Sequence, residues 1–188
     1  MTTEFITPLD MPVNVNKHLV LIGKQNKKMM AMRTQLVYHA RSNGRFIYIL
    51  DNEGDLFDWA KDTPETGGVI VGDGTLEHLV QFVAEVQETN AFGTIAISWT
   101  RIKKQKKLFN ELLHLSNIGQ LAGITIQLFT SSVSNMYLSI EGRALFLNMH
   151  QRLWAEQRKS EINWLKENLN LTNEQLENMK LNQGVLSN

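Results

Sequence analysis

The sequence has no cysteine at all. That excludes a disulfide framework and any thiolate metal site, and suits a reducing compartment. It has three prolines, Pro8, Pro12 and Pro64, so the stretch between residues 13 and 63 runs free of that breaker. It carries no net charge, with 19 Lys+Arg against 19 Asp+Glu. No global field therefore draws it to nucleic acid or to a membrane surface, and any such binding has to come from a local patch. No apolar run approaches the roughly 20 residues needed to span a bilayer. The opening MTTEFITPLDMPVN has neither the basic start nor the apolar core of a signal peptide. The expectation is a cytoplasmic protein.

What is present is length and hydrophobic content. A chain of 188 residues, 43% hydrophobic and 20% charged, supports one globular domain with a buried core. Residues 17–54 organise it. An apolar run at 18–22 (HLVLI) ends in Gly23, and a lysine-rich turn follows at 24–28. A helical pattern then covers about 29–41, with Met29, Met32, Leu36 and His39 or Ala40 on one face. After the turn Ser42-Asn43-Gly44 comes a second apolar run at 45–50, closed by an acidic tip with Asp51, Glu53 and Asp55. This is the layout of a βαβ unit whose site lies at the carboxyl ends of its strands. In a nucleotide-binding protein built on such a unit, the turn after the first strand would cradle phosphate with backbone N–H groups and a lysine.

Further strands are expected at 68–71, 93–98 (GTIAIS), 122–129 (AGITIQLF) and 143–149 (RALFLNM). Between them lie helices starting at the N-cap Thr75 and spanning 101–118, with a polar loop or short helix at 131–140. Residues 150–168 read as polar and helical, and Thr172 to Gln175 has the form of a capping box that starts a last helix. The expected division is an extended lead-in at 1–16, an α/β domain at 17–149 and a helical C-terminal extension at 150–188. Strands alternating with helices predict a three-layer α/β fold with a mainly parallel sheet and helices on both faces. The strands holding Leu21, Ile47, Ile95 and Ile126 should lie side by side, and Gly23, Lys28, Asp51 and Ser98 should meet at their carboxyl ends.

The order of these pieces resembles the FtsK/HerA superfamily of P-loop motor ATPases, which drive DNA translocation, conjugation, secretion and phage genome packaging. HLVLIG resembles the strand and first glycine of their Walker A motif, and FIYILDNEGDL their second strand with its acidic close. GTIAISWT sits where the Walker B strand falls, and LFNELLHLSNIGQLAGITIQLFTSS resembles the helix and strand leading to a Thr-Gln sensor. LTNEQLENMKLNQGVL resembles the tail of secretion-type members. The resemblance runs from about residue 18 to 149 and implies a RecA/FtsK-type P-loop fold, ATP with Mg²⁺ as cofactor, and DNA or other subunits of a machine, a homo-oligomer among them, as partners.

The departures from that pattern are as informative. A working P-loop reads G-x-x-x-x-G-K-[ST]; this chain reads Gly23-Lys24-Gln25-Asn26-Lys27-Lys28-Met29, one residue short and without the second glycine. Met29 stands where a hydroxyl should hold Mg²⁺, and a thioether is a poor ligand for that hard cation. Ser98-Trp99 replaces the Walker B Asp-Glu pair, and Ser131 follows Thr130 where the sensor has Gln. The resemblance with these departures implies a degenerate, non-hydrolysing subunit, or pseudo-ATPase. One alternative is an active but divergent ATPase in which Lys28 and Asp51 or Glu53 serve phosphate and metal. A second is a nucleic-acid-binding domain that uses Arg101, Lys103, Lys104, Lys106 and Lys107, which are otherwise a solvated helix face. The five histidines, His18, His39, His78, His114 and His150, show no ligand spacing, and no metal site is expected from them.

Overall fold

A computed structural model describes residues 13–50, 69–71, 75–169, 171–174, 176 and 185–187. Strand β1 (Leu19–Ile22) leads to helix α1 (Lys27–Ser42) and β2 (Phe46–Ile49). Then follow β3 (Val69–Val71), α2 (Leu76–Glu88) and β4 (Gly93–Ser98). Two helices, α3 (Trp99–Ile102) and α4 (Lys106–Ile118), precede β5 (Ile124–Thr130). The chain continues through α5 (Val133–Tyr137), α6 (Ile140–Leu147), β6 (Gln151–Trp154), α7 (Lys159–Asn168) and β7 (Val185–Ser187).

The sheet has seven strands in the order β3-β2-β4-β5-β1-β6-β7. All neighbours pair parallel except β6 and β7. The strands of Ile47, Ile95, Ile126 and Leu21 are consecutive in it, as expected. Their near-continuous apolar sequences follow from cover on both sides. Val20, Ile22, Tyr48, Ile95, Ile97, Ile126 and Leu128 form one face, packed under α2, α4, α6 and α7. Leu19, Leu21, Ile47, Ile49, Ala96 and Phe129 form the other, covered by α1 through Met29, Leu36, Val37 and Ala40. The helical capping at Thr75, whose side chain accepts from His78 N, is as read from sequence.

Three expectations are corrected. Residues 143–149 are not a strand: 143–147 belong to α6, started by the N-cap Ser139, whose hydroxyl accepts from Gly142 N, and 148–149 follow it. The sixth strand lies instead at Gln151–Trp154, in a segment read as helical, and it pairs directly with β1. Helix 101–118 is broken into α3 and α4 by a turn at 103–105. The break has a geometric reason: at about 100° per residue, a continuous helix would put Trp99 roughly 140–180° and Ile102 roughly 80–140° away from Leu108, Leu112 and Leu115. All five are buried, which one straight helix on one sheet face cannot achieve. On α1 the inner stripe is Met29, Arg33, Leu36, Val37 and Ala40, with His39 exposed.

At the amino edge of the sheet Arg45 ties three strands together. It donates from Nε to Thr94 Oγ1 (2.7 Å) and from Nη2 to the carbonyls of Gly93 and Gly123. Burial pushes its pKa down to about 10, which leaves it charged at neutral pH.

Candidate functional site

Strand order fixes where a ligand site falls. β1 sends its connection through α1 toward β2 on one side, and β5 sends its connection through α5 and α6 toward β6 on the other. With right-handed crossovers, these connections leave on opposite faces and open a crevice between the carboxyl ends of β1 and β5. A small cleft sits there, bounded by Gly23 and Gln25 after β1, Met29 and Arg33 of α1, Ser98 and Thr100 after β4, and Phe129, Thr130 and Ser131 of β5. Gly23, Met29, Ser98, Thr130 and Ser131 were all singled out in the sequence, and the fold brings them to one place. Asp51, Glu53 and Asp55 lie outside the described residues.

The turn after Gly23 runs straight into α1 at Lys27. Asn26 is the N-cap of α1, and its Oδ1 accepts from Met29 N (2.8 Å). Gly23 N donates to Thr130 O (3.0 Å) and Lys24 N to Glu156 O (2.6 Å). The Glu156 carboxylate accepts from Asn26 Nδ2 (2.9 Å) and faces Lys24 Nζ (3.5 Å). A loop after β6 thus lies on the turn, with its own carboxylate against the basic residues. Met29 is buried, and a Cβ built on Gly23 would come within 3.3 Å of its sulfur. Lys24, Lys27 and Lys28 are exposed around this turn.

Arg33, Asn26, Thr100 and Glu156 were not anticipated as site residues. Arg33 is buried in the cleft wall, with Nη2 donating to Ser98 Oγ (3.2 Å) and its guanidinium 4.8 Å from the Phe129 ring centre. Its signal was a cation on the apolar stripe one turn after Met29. Glu156 had none, since it approaches from 130 residues away. The cleft offers about 40 Å³ of free space. That is room for a few waters, each filling roughly 10–15 Å³ by this measure.

Ser98 is half-buried at the end of β4. Trp99 turns away into the core, edge-on to Phe109 with centroids 5.8 Å apart. Thr130 is buried, and its hydroxyl bonds the backbone of Ser132. Glu161 occupies the start of α5, accepting from Val133 N (2.6 Å), Ser134 N (2.9 Å) and the hydroxyls of Ser132 and Ser134. That donor set is already filled by the chain.

The basic run leaves β4 at this same carboxyl edge. Lys103, Lys104, Lys106 and Lys107 are exposed and Arg101 is half-buried. Seven exposed lysines therefore lie in two turns, or in the first helical residues after them, on one edge of the sheet. Among the described residues no group of three or more metal-ligating side chains is clustered. Within the same residues no helix is long and apolar enough to cross a membrane.

No protein-family model matches this sequence, and no curated protein does. Solved structures do match. The DNA-packaging ATPase of Sulfolobus turreted icosahedral virus superposes with a TM-score of 0.61 at 14% identity, over 94% of this chain and 98% of that one. The genome packaging NTPase of Sulfolobus turreted icosahedral virus 2, in complex with ATP-gammaS, gives 0.57 at 13% identity, over 94% of each chain. The cytoplasmic domain of the type VII secretion ATPase EccC of Thermomonospora curvata gives 0.55 at 17%, over 77% of this chain and 21% of that one. At these identities the likeness establishes a fold, and it is the P-loop ATPase fold of packaging and secretion ATPases that the order of sequence motifs resembled.

Proposed function

We propose that this chain is a non-hydrolysing subunit of a DNA-translocation, genome-packaging or secretion machine, built on an ATPase fold whose nucleotide site has closed. The observation that carries the reading is the occupied turn: Glu156 lies on the residues that would receive phosphate, and Met29 and Arg33 fill the cleft behind them. Phosphoryl transfer to water needs the phosphates held, their charge met by a metal, and a water aimed in line. Gly23, Lys24, Lys27 and Lys28 serve the first need at most. Met29 replaces the metal-holding hydroxyl, and neither Ser98 nor the buried Trp99 supplies a carboxylate at the end of β4. Asp51, Glu53 or Asp55 would have to supply one if the chain were an active, divergent ATPase.

What such a subunit contributes is a surface. The exposed lysines at 103, 104, 106 and 107 favour a DNA backbone as the partner at the carboxyl edge, since neighbouring cations release counterions on binding phosphates. A structural neighbour is a DNA-packaging ATPase, which agrees with that choice. The direct test is equilibrium binding of ATP with Mg²⁺ to the purified chain by calorimetry. The reading expects no Mg²⁺-dependent binding. Binding that needs Mg²⁺ and disappears in Lys28→Ala would support the divergent ATPase instead.

A further inference from the structure

We propose that Glu156 is a tethered anion that keeps polyphosphate off the basic turn, so that the turn is inhibited by the chain's own carboxylate. The inference rests on reading this cleft as a former nucleotide site.

Its first support is that Glu156 is held in place. Ala155 N donates to Ile22 O (2.8 Å), and Gln157 donates from Nε2 to Ile22 O (2.7 Å) and Ala155 O (2.8 Å). With the bond from Lys24 N to Glu156 O, these fix residues 155–157 over the end of β1. A Cβ on Gly23 would lie 2.7 Å from the Ala155 Cβ, so the segment comes this close only because residue 23 is glycine. The second support is what the carboxylate engages. Asn26 caps α1 with its carbonyl oxygen and holds Glu156 with its amide nitrogen. One carboxylate thereby occupies Lys24 and the cap residue together, which are groups a polyphosphate would use.

The magnitudes separate inhibition from architecture. Lys24 and Glu156 keep 49% and 29% of their side-chain surface in solvent, and ion pairs so exposed add little to stability. Removing the carboxylate should leave the fold intact, because the main-chain bonds of the segment remain. It should change the ligand chemistry, since a negative charge a few ångströms from an arriving polyanion repels it. The ligand class is an inorganic or nucleoside polyphosphate, bound without a metal because Met29 offers only a thioether.

Inorganic tripolyphosphate is titrated calorimetrically into the full chain and into Glu156→Ala, Lys24→Ala and the double variant, in EDTA and again in Mg²⁺. Circular dichroism melting checks that each is folded. Glu156→Ala should bind at least about tenfold tighter than the parent, equally in EDTA. Lys24→Ala breaks the same ion pair but should gain nothing, and the double variant should lose the gain. A merely structural contact would make the two single variants alike. No gain in Glu156→Ala, or an equal gain in Lys24→Ala, overturns the proposal. Should Glu156→Ala unfold, Glu156→Gln asks the same question of charge alone, with the same expected gain and the same overturning result. An unchanged Glu156→Ala leaves the non-hydrolysing reading standing, whereas ATP turnover by the parent removes that reading whatever the titration gives.

Discussion

Arg33 puts a cation inside the cleft, hydrogen-bonded to Ser98 and lying against Phe129. Under the proposed reading this cation disfavours a divalent metal at the end of β4. Met29, one turn earlier, adds only sulfur. Together these two side chains line one wall of the cleft. The chemistry at the opposite edge of the sheet is different. His18 is buried, and its Nδ1 accepts from Ile126 N (3.0 Å), which leaves the proton on Nε2. The titratable or charged groups that face it are His150, with ring centroids 5.6 Å apart, and Arg45. Burial first, then these two groups, lowers its pKa from 6.5 to about 4. The unfolded chain takes up this proton near 6.5 and the folded chain only near 4, so stability falls as pH drops through that window and levels off below it. The loss is on the order of 3 kcal/mol. Urea unfolding at pH 7, 5.5 and 4 should show it, and His18→Gln should lose stability less steeply than the parent over the same range. Parallel curves for the two proteins would take His18 out of the account.

At the scale of elements, β4 could be read to the residue, and α1 and β5 to within about two, because their apolar patterns are long and unbroken. The strands β1, β2 and β3 fall within one residue of their expected bounds, and only the apolar stretches after β5 were less decisive. RALFLNM is a short apolar run that suits a buried strand or a buried helix equally, and its helical start at Ser139 lies before it. QRLW gave the opposite difficulty. Gln151 is buried in β6 only because its side chain bonds both N and O of Asn14, 137 residues away, and Arg152 lies over Phe146. No local pattern carries such partners. Arg33 was hidden for a related reason, since a charge on an apolar stripe reads as noise until its acceptor is known. The break between α3 and α4 was legible in principle, from the phase of Trp99 and Ile102 against Leu108. It matters for function because it turns a straight basic helix into an exposed basic turn at the sheet edge. Replacing Lys103, Lys104, Lys106 and Lys107 with Ala should weaken duplex DNA binding and lower the slope of log affinity against log salt by up to about 4. Filter binding at several salt concentrations reads both. An unchanged slope would place DNA contacts elsewhere, and no binding by the parent at low salt would remove DNA as a partner of this edge.

For the whole molecule, the fold and the chemistry part company. Seven strands, a crevice at the reversal of strand order and a basic turn before α1 reproduce the frame of a P-loop ATPase. The frame survives because it is specified by many apolar positions, each replaceable by a similar residue. The chemistry hangs on a handful of side chains, and under the proposed reading those at 29, 98 and 99 do not supply it. Fold likeness therefore says little about turnover, and the central claim has to be tested on turnover itself. The measurement is steady-state phosphate release from ATP and Mg²⁺ by the purified chain, with and without duplex DNA, beside Lys28→Ala. The account predicts release at the background rate in every arm. Release by the parent that is lost in Lys28→Ala would contradict it and show a working, divergent P-loop.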